Sequence, residues 1–459
     1  MKLSIYHKLI VFHVFLGLSI FLVKPLALVY FICMTIFWGY KILNVSQENK
    51  VFYVMLACAY IVGVEVFLRM NNGTFFYEAS KYLVIIYVLM GMLGTSISSR
   101  GLIYFTYILL LIPSIFVAVS AMGFETNIKK AIAFNLSGPV CLGIAAIYCS
   151  GKVLKFDQVK IILIGLLLPL ISTTVYLFLY TPNLQAAITG TASNFATSGG
   201  FGPNQVATVL GLGMFALASR FFMSKANIVI KVIDLCLLGL ISFRAIVTFS
   251  RGGVITSIVM IMFFLLVYYI KVNYTYKRKL LFSLSIFFVL AFFTWVLSSI
   301  QTSGFIDKRY ANQDATGREK EDISTGRTDL IAFEIKEFIE NPVLGIGVGK
   351  IKERRLAETG MLAASHNELS RILAEHGLFG ILAFLILLIA PLIYRLRDRS
   401  NIFFYSFYLF WLLTINHSAM RIAAPAFIYA LCLIRIDFKP KQSINKKLIQ
   451  NNKLLLKQA

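Results

Sequence analysis

The chain has 459 residues, 58% of them hydrophobic and 14% charged, where ordinary soluble domains carry about 25% charged residues. That composition excludes a soluble globular protein, and apolar runs in place of ten-residue alternation exclude a membrane barrel. The formal charge of +23 suggests a nucleic-acid partner only until it is mapped: it gathers in short segments between apolar runs, so no nucleic acid is expected.

In chain order, candidate membrane helices fall near 9–23, 26–40, 51–68, 82–97, 102–120, 131–149, 161–180, 204–222, 227–250, 252–270, 280–300, 374–394, 402–419 and 422–434. The first two and the last are short, so about 12–14 transmembrane helices are expected in an all-α polytopic membrane protein. The first run follows a basic start with no small-residue cleavage site and reads as a retained anchor. Cys33, Cys58, Cys141, Cys149, Cys236 and Cys432 lie in or beside apolar runs without C-x-x-C spacing, which suits small core residues better than disulfides or metal thiolates.

Lys2, Lys8, Lys41, Lys50, Arg100, Lys152, Lys155, Lys160, Arg220, Lys225, "KVNYTYKRK", "RLRDR" and the lysine-rich tail fall on one side, which is expected to be cytoplasmic and to hold both termini. Residues 301–373 stand apart, with 11 basic and 12 acidic residues. Alternation places them outside the cytoplasm. The expected organisation is an N-terminal transmembrane bundle over 1–300, one long helical extracytoplasmic loop over 301–373, C-terminal transmembrane helices over 374–437 and a basic cytoplasmic tail over 438–459.

Within the bundle, Glu65 with Arg69 and Lys231 with Asp234 read as structural ion pairs at helical spacing. "TSGGFGPNQVA" is a pliable loop in which Asn204 is the expected N-cap of the next helix. Arg244 lies inside a span, an expensive place for a guanidinium; it is either functional or paired within the bundle. In "FSRGG", Arg251 is expected to cap the helix that holds Arg244, about 10 Å nearer its end, with Gly252 and Gly253 reversing the chain.

In the long loop, "STGRTDLIAFEIKEFIENP" predicts a helix with Arg327 at its start. Thr325 or Thr328 would cap it, Asp329 suits the first turn, and Asn341-Pro342 stops it. Ile331, Ile335, Phe338 and Ile339 form one apolar face, to be packed on the membrane surface or on the bundle. "NPVLGIGVGK" lacks the strand–helix context of a phosphate cradle, so Gly345, Gly347 and Gly349 suit a turn with close backbone approach.

"SHNELSRILAEHG" separates His366 and His376 by roughly 80° and about 15 Å on a helix, so it is no H-E-x-x-H zinc site and no metal is expected. Glu368, Arg371 and Glu375 share a face that suits a solvated ion-pair ladder, opposite Leu369, Ile372 and Leu373. His376 then belongs to the helix surface. His366 is left near the helix start, as a general base or as an ordinary interfacial histidine. "TINHSAMR" adds His417 and Arg421 near the last outer turn, a weaker signal.

"TFSRGG", then "TGRTDLIAFEIKEFIENPVLGIGVG", then "SHNELSRILAEHGLFGILAFLI" together resemble the O-antigen ligase and polysaccharide polymerase superfamily. The resemblance is closest over 249–390, with a fainter echo in "GGFGPNQVA". It implies a GT-C-type glycosyltransferase of the bacterial inner membrane, inverting, metal-independent and without a cofactor. Such an enzyme moves a glycan from an undecaprenyl-diphosphate-linked donor to a lipid or glycan acceptor hydroxyl outside the cytoplasm, among membrane lipids. By the same resemblance, Arg251 and Arg327 hold the donor diphosphate and His366 activates or orients the acceptor hydroxyl. Arg244, Asn204, Asn367 and His417 are secondary candidates: Asn367 to orient His366, Asn204 with Gln205 to meet sugar hydroxyls. The alternative is a lipid-linked oligosaccharide flippase or transporter, which often shows internal repeats that this sequence does not display.

Overall fold

The computed structural model describes residues 5–123, 127–224, 227–320, 322, 326–361, 363–418 and 420–438. Lys2, Lys225, Thr325 and the tail beyond Phe438 lie outside the described residues.

In a bilayer each backbone N–H and C=O must be satisfied within the protein, and apolar helices do this locally. The chain obliges throughout. It runs α1 (Ile5–Leu22), α2 (Leu26–Asn44), α3 (Gln47–Met70), α4 (Ala79–Met92), α5 (Leu102–Leu111), α6 (Pro113–Ala121) and α7 (Ile128–Cys149). It continues through α8 (Phe156–Tyr180), the short α9 (Leu184–Ala187), α10 (Pro203–Met223), α11 (Ile228–Ile246), α12 (Arg251–Lys271) and α13 (Tyr274–Gln301). The segment between α13 and α17 contributes α14 (Phe305–Tyr310), α15 (Arg327–Glu340) and α16 (Ile351–Thr359), and the chain continues through α17 (Glu368–Arg397), α18 (Phe404–Ile415) and α19 (Ala424–Cys432). Two three-residue strands, β1 (Val153–Lys155) and β2 (Arg435–Asp437), pair in parallel with Val153 opposite Arg435.

Every predicted apolar stretch is largely helical, and among the described residues ten helices, against the 12–14 expected, are long and apolar enough to cross a membrane. The first two, expected to be short, qualify with 18 and 19 residues. The shortfall lies elsewhere. α4 and α18 have only 14 and 12 residues, α19 has nine, and α11 carries Lys231, Asp234 and Arg244. The basic "KVNYTYKRK" is mostly helix, since α13 begins at Tyr274.

The core is built by α3, α8 and α10, whose side chains are mostly buried, while α1 and α13 sit on the perimeter and bury three residues each. Gly211 and Gly253 bring α10 and α12 together backbone to backbone. A Cβ on Gly253 would lie 2.4 Å from the Ala207 carbonyl carbon, and one on Gly211 would lie 2.7 Å from the Gly253 oxygen. Small residues at such a crossing let lipid-buried helices approach closely. Gly252 and Gly253 therefore serve packing, not the expected reversal. The turn is made at Phe249, which sits at φ +59. Arg244 and Arg251 consequently belong to different helices, the last turn of α11 and the first residue of α12, so Arg251 caps no helix shared with Arg244.

Two ion-pair expectations divide. Glu65 and Arg69 pair at 2.6 Å, both buried. Asp234 turns instead to Arg220, at 2.8 Å, and to the Tyr6 hydroxyl, leaving Lys231 out.

α17 is kinked at Gly377 (φ 59, ψ −136). A Cβ there would lie 2.6 Å from the Val343 oxygen, and the Leu378 N–H donates to the Pro342 carbonyl at 2.8 Å. The 342–349 loop thus seats in the kink. Gly345, Gly347 and Gly349 all have positive φ, and the Ile346 and Gly347 amides donate to Ala374 and Glu375 carbonyls. The expected turn with close backbone approach is what these glycines make.

Candidate active site

Arg251 starts α12, Asn204 sits in the first turn of α10, and His417 follows α18, so three helix ends meet at one end of the bundle. The start of α15 and the segment before α17 bring Arg327 and His366 to the same end. Both side chains line one small pocket with Leu330, Ile331, Glu334, Asn367 and Asn416.

His366 lies on an extended segment immediately before α17. Asn367 is the N-cap, its Oδ1 accepting from the Leu369 and Ser370 amides and its Nδ2 donating to Asn416 at 3.2 Å. Asn367 thus fixes the backbone that carries His366. The segment is held from other directions too. Arg355 donates to the Ala363 carbonyl at 2.6 Å, and Arg421 donates to the Ser365 carbonyl at 2.6 Å. Glu334 accepts from Ser365, Ser370 and Arg355.

The Nδ1 of His366 is buried and has no hydrogen-bond partner among the described residues. Burial, followed by the charges of Arg421, Arg327 and Arg355, brings its pKa down to about 4. The imidazole is therefore neutral at physiological pH, as a proton acceptor must be.

Arg309, on α14, was not singled out by its sequence context. It is buried, its Nε donates to the Phe249 carbonyl at 3.1 Å, and its own carbonyl accepts from Arg251 at 3.3 Å. Burial lowers its pKa, and the neighbouring charges of Arg251 and Arg327 lower it further. Arg327 is likewise lowered, by burial and then by Arg251. Mutually repelling guanidiniums held together in a partly desolvated place are stabilised by an anion. The only hint in sequence was that "DKRY" sits in the charge-dense loop.

The secondary candidates divide differently. The Asn204 Oδ1 accepts from Ser250 at 2.7 Å, and its Nδ2 reaches the His417 carbonyl; the N-cap of α10 is Gly202, not Asn204. Gln205 accepts from Arg69 and exchanges a hydrogen bond with Tyr77. His417 bridges Thr208 and the Leu413 carbonyl, and its ring would lie 2.6 Å from a Cβ on Gly252, so it packs against the turn that presents Arg251. Arg244 donates to the Thr197 carbonyl at 3.1 Å and lies over the Phe178 ring, with two nitrogens unpartnered among the described residues.

Several loop residues expected at the surface are inside. Glu368, Arg371 and Glu375 form the expected ion pairs but are buried, and His376 is 1% exposed. In α15 the buried residues are Glu334 and Glu337, while Ile339 is 69% exposed. Thr328 does not cap its start: Gly326 precedes the helix at φ 76, and Thr328 lies within it. Asp329 and Asn341 fall where expected, in the first turn and at the C-cap. Replacing Glu334 with alanine would strand the buried Arg355 and free Ser365. We expect a loss of about 3–5 kcal/mol, read as a lowered unfolding temperature in detergent, with Glu334→Gln milder.

Among the described residues, no three His, Cys, Asp or Glu side chains converge as metal ligands do. Residues 236–385 match the family model described as O-antigen ligase, while no curated protein matches the chain. That stretch includes Arg251, Arg309, Arg327 and His366, and leaves Asn204, His417 and Arg421 outside it. The protein is a polytopic membrane protein whose residues 236–385 are similar to the O-antigen ligase family.

Proposed function

We propose that the protein is an inverting, metal-independent glycosyltransferase of the bacterial inner membrane. It moves a glycan from undecaprenyl diphosphate to a lipid or glycan hydroxyl at the extracytoplasmic face. The observation that carries this is the neutral His366 sharing a pocket with Arg327, beside Arg251 and Arg309, at one end of a membrane bundle.

The donor is already activated, because its leaving group is a lipid diphosphate. The acceptor oxygen forms a bond to the anomeric carbon as the carbon–oxygen bond to phosphate breaks. The hydroxyl proton passes to the His366 imidazole, and the charge left on the diphosphate falls to Arg251 and Arg327, with Arg309 in support. Fixed guanidiniums suit this task because they stay charged and bind phosphate oxygens in pairs. Asn204 and His417 act on Arg251 from behind rather than on sugar.

The pH dependence follows with a defined sign. His366 loses its neutral form only as pH falls through about 4. The acid limb of kcat/KM, which reports the free enzyme, is expected near pH 4 rather than at the ordinary histidine value of about 6.5. A bound diphosphate stabilises the imidazolium, so the acid limb of kcat is expected at higher pH. Transfer in membranes treated with EDTA is expected to proceed unchanged; its loss would reopen the question of a metal.

Deleting the gene and profiling glycans on the lipid carrier tests the reaction. Long polymer stranded on the carrier identifies a ligase, and single repeats identify a polymerase. Accumulation confined to the cytoplasmic leaflet would sink both and point to a flippase.

A further inference from the structure

At the end of the bundle away from His366, the starts of α8 and α13 and the ends of α10 and α12 enclose a cavity of about 1080 Å³. α12 has 21 residues, so about 30 Å separates Arg251 at its start from Lys271 at its end. This cavity is therefore distinct from the transfer site.

Its polar lining is strongly one-signed: Lys160, Arg220, Lys231, Lys271 and Lys279 against Asp157. Two of these cations are already answered, Lys160 by Asp157 and Arg220 by Asp234. Lys231, Lys271 and Lys279 have no carboxylate within 4 Å among the described residues. Lys271 donates to the Arg399 carbonyl, while Lys231 and Lys279 lie beside the Phe221 and Tyr276 rings. α13 also begins here without a side-chain cap, so the positive end of its dipole adds to the field.

Beyond the cations the walls turn apolar, with Leu163, Leu167, Ala216 and Leu280 all buried. α13, which forms one wall, is a perimeter helix whose buried residues are only Leu280, Thr294 and Ser298. The wall residue Ile161 is 45% exposed. The cavity thus joins a cationic rim to an apolar interior at the lipid-facing edge of the bundle. Lysines that only set topology extend along the helix surface to water; these line a common concavity.

We propose that this cavity binds the phosphate-bearing headgroup of an anionic phospholipid, with acyl chains lying against the apolar wall beside α13. Basic pockets between membrane helices recognise anionic headgroups in this way.

The test uses the full-length protein in detergent, with retained molecules read by native mass spectrometry. The probes are dioleoyl phosphatidylglycerol, dioleoyl phosphatidylcholine and inorganic phosphate. One phosphatidylglycerol is expected per chain, held about tenfold or more in preference to phosphatidylcholine. The triple variant Lys231→Gln, Lys271→Gln, Lys279→Gln should weaken phosphatidylglycerol binding on the order of a hundredfold, about fivefold per lysine. The corresponding triple arginine variant should keep it, and Lys129→Gln with Lys130→Gln, outside the cavity lining, should not alter it. Equal retention of the two lipids by the unaltered protein would overturn the proposal, whether or not the variants fold. Wild-type affinity in the triple glutamine variant would do the same. Lysine-dependent binding of inorganic phosphate without competition from phosphatidylglycerol would assign the cavity to a soluble anion instead.

Discussion

Replacing His366 with alanine is expected to reduce glycan transfer by about 10²–10⁴-fold, the usual contribution of a positioned acid–base group. The protein level and unfolding temperature should stay near those of the wild type. The reason is local. The anchors of the 363–367 segment are backbone carbonyls, the Ser365 hydroxyl and the Asn367 cap, none of which is the imidazole. Removing the ring deletes a proton acceptor without cutting an anchor, so kcat should fall more than KM rises. Full transfer by His366→Ala in membranes would end the assignment of this residue as the base.

Arg251→Ala and Arg327→Ala are each expected to lower transfer by about 10²–10³-fold, the scale for losing one preorganised contact to developing charge. Lysine at either position should restore only part of it, because an ammonium cannot bind two phosphate oxygens in a fixed plane. Arg309→Ala should be more damaging to structure than either, since its guanidinium also ties α14 to the Phe249 turn. Comparing kcat and KM with unfolding temperature separates these cases. An Arg327→Ala protein that transferred at the wild-type rate would show that the diphosphate is held elsewhere.

The bundle was largely legible because lipid demands long apolar runs, and those runs are local in sequence. The helix at 327–340, its stop at Asn341 and the position of His366 near a helix start are readable for the same reason: helix periodicity and stops are short-range chemistry. What could not be read was which way charged residues face. Glu368, Arg371 and Glu375 have the spacing of an exposed ladder, and nothing in that spacing reveals that α17 packs inward there. Glu334 and Glu337 stay hidden in the sequence because the isoleucines beside them advertise the opposite face. Arg309 became visible only when a turn sixty residues earlier was placed beside it. Likewise, two glycines that suggest a reversal in sequence serve packing, Gly253 at a helix crossing and Gly252 against the His417 ring, because close approach and tight turning ask for the same residue.

α15 faces Glu334 and Glu337 into the protein and leaves Ile339, with Val343 and Leu344 just beyond, in the open. In water that arrangement would be a liability. Against a bilayer it acts as a float. On the proposed function, Glu334 and Glu337 moor the helix to the protein, the exposed aliphatics would rest in hydrocarbon, and Arg327 at one end would be held at the level where a lipid's diphosphate emerges. Charge substitutions at Ile339 or Val343 would therefore act as changes of depth, lifting an otherwise intact site off the plane in which its donor travels.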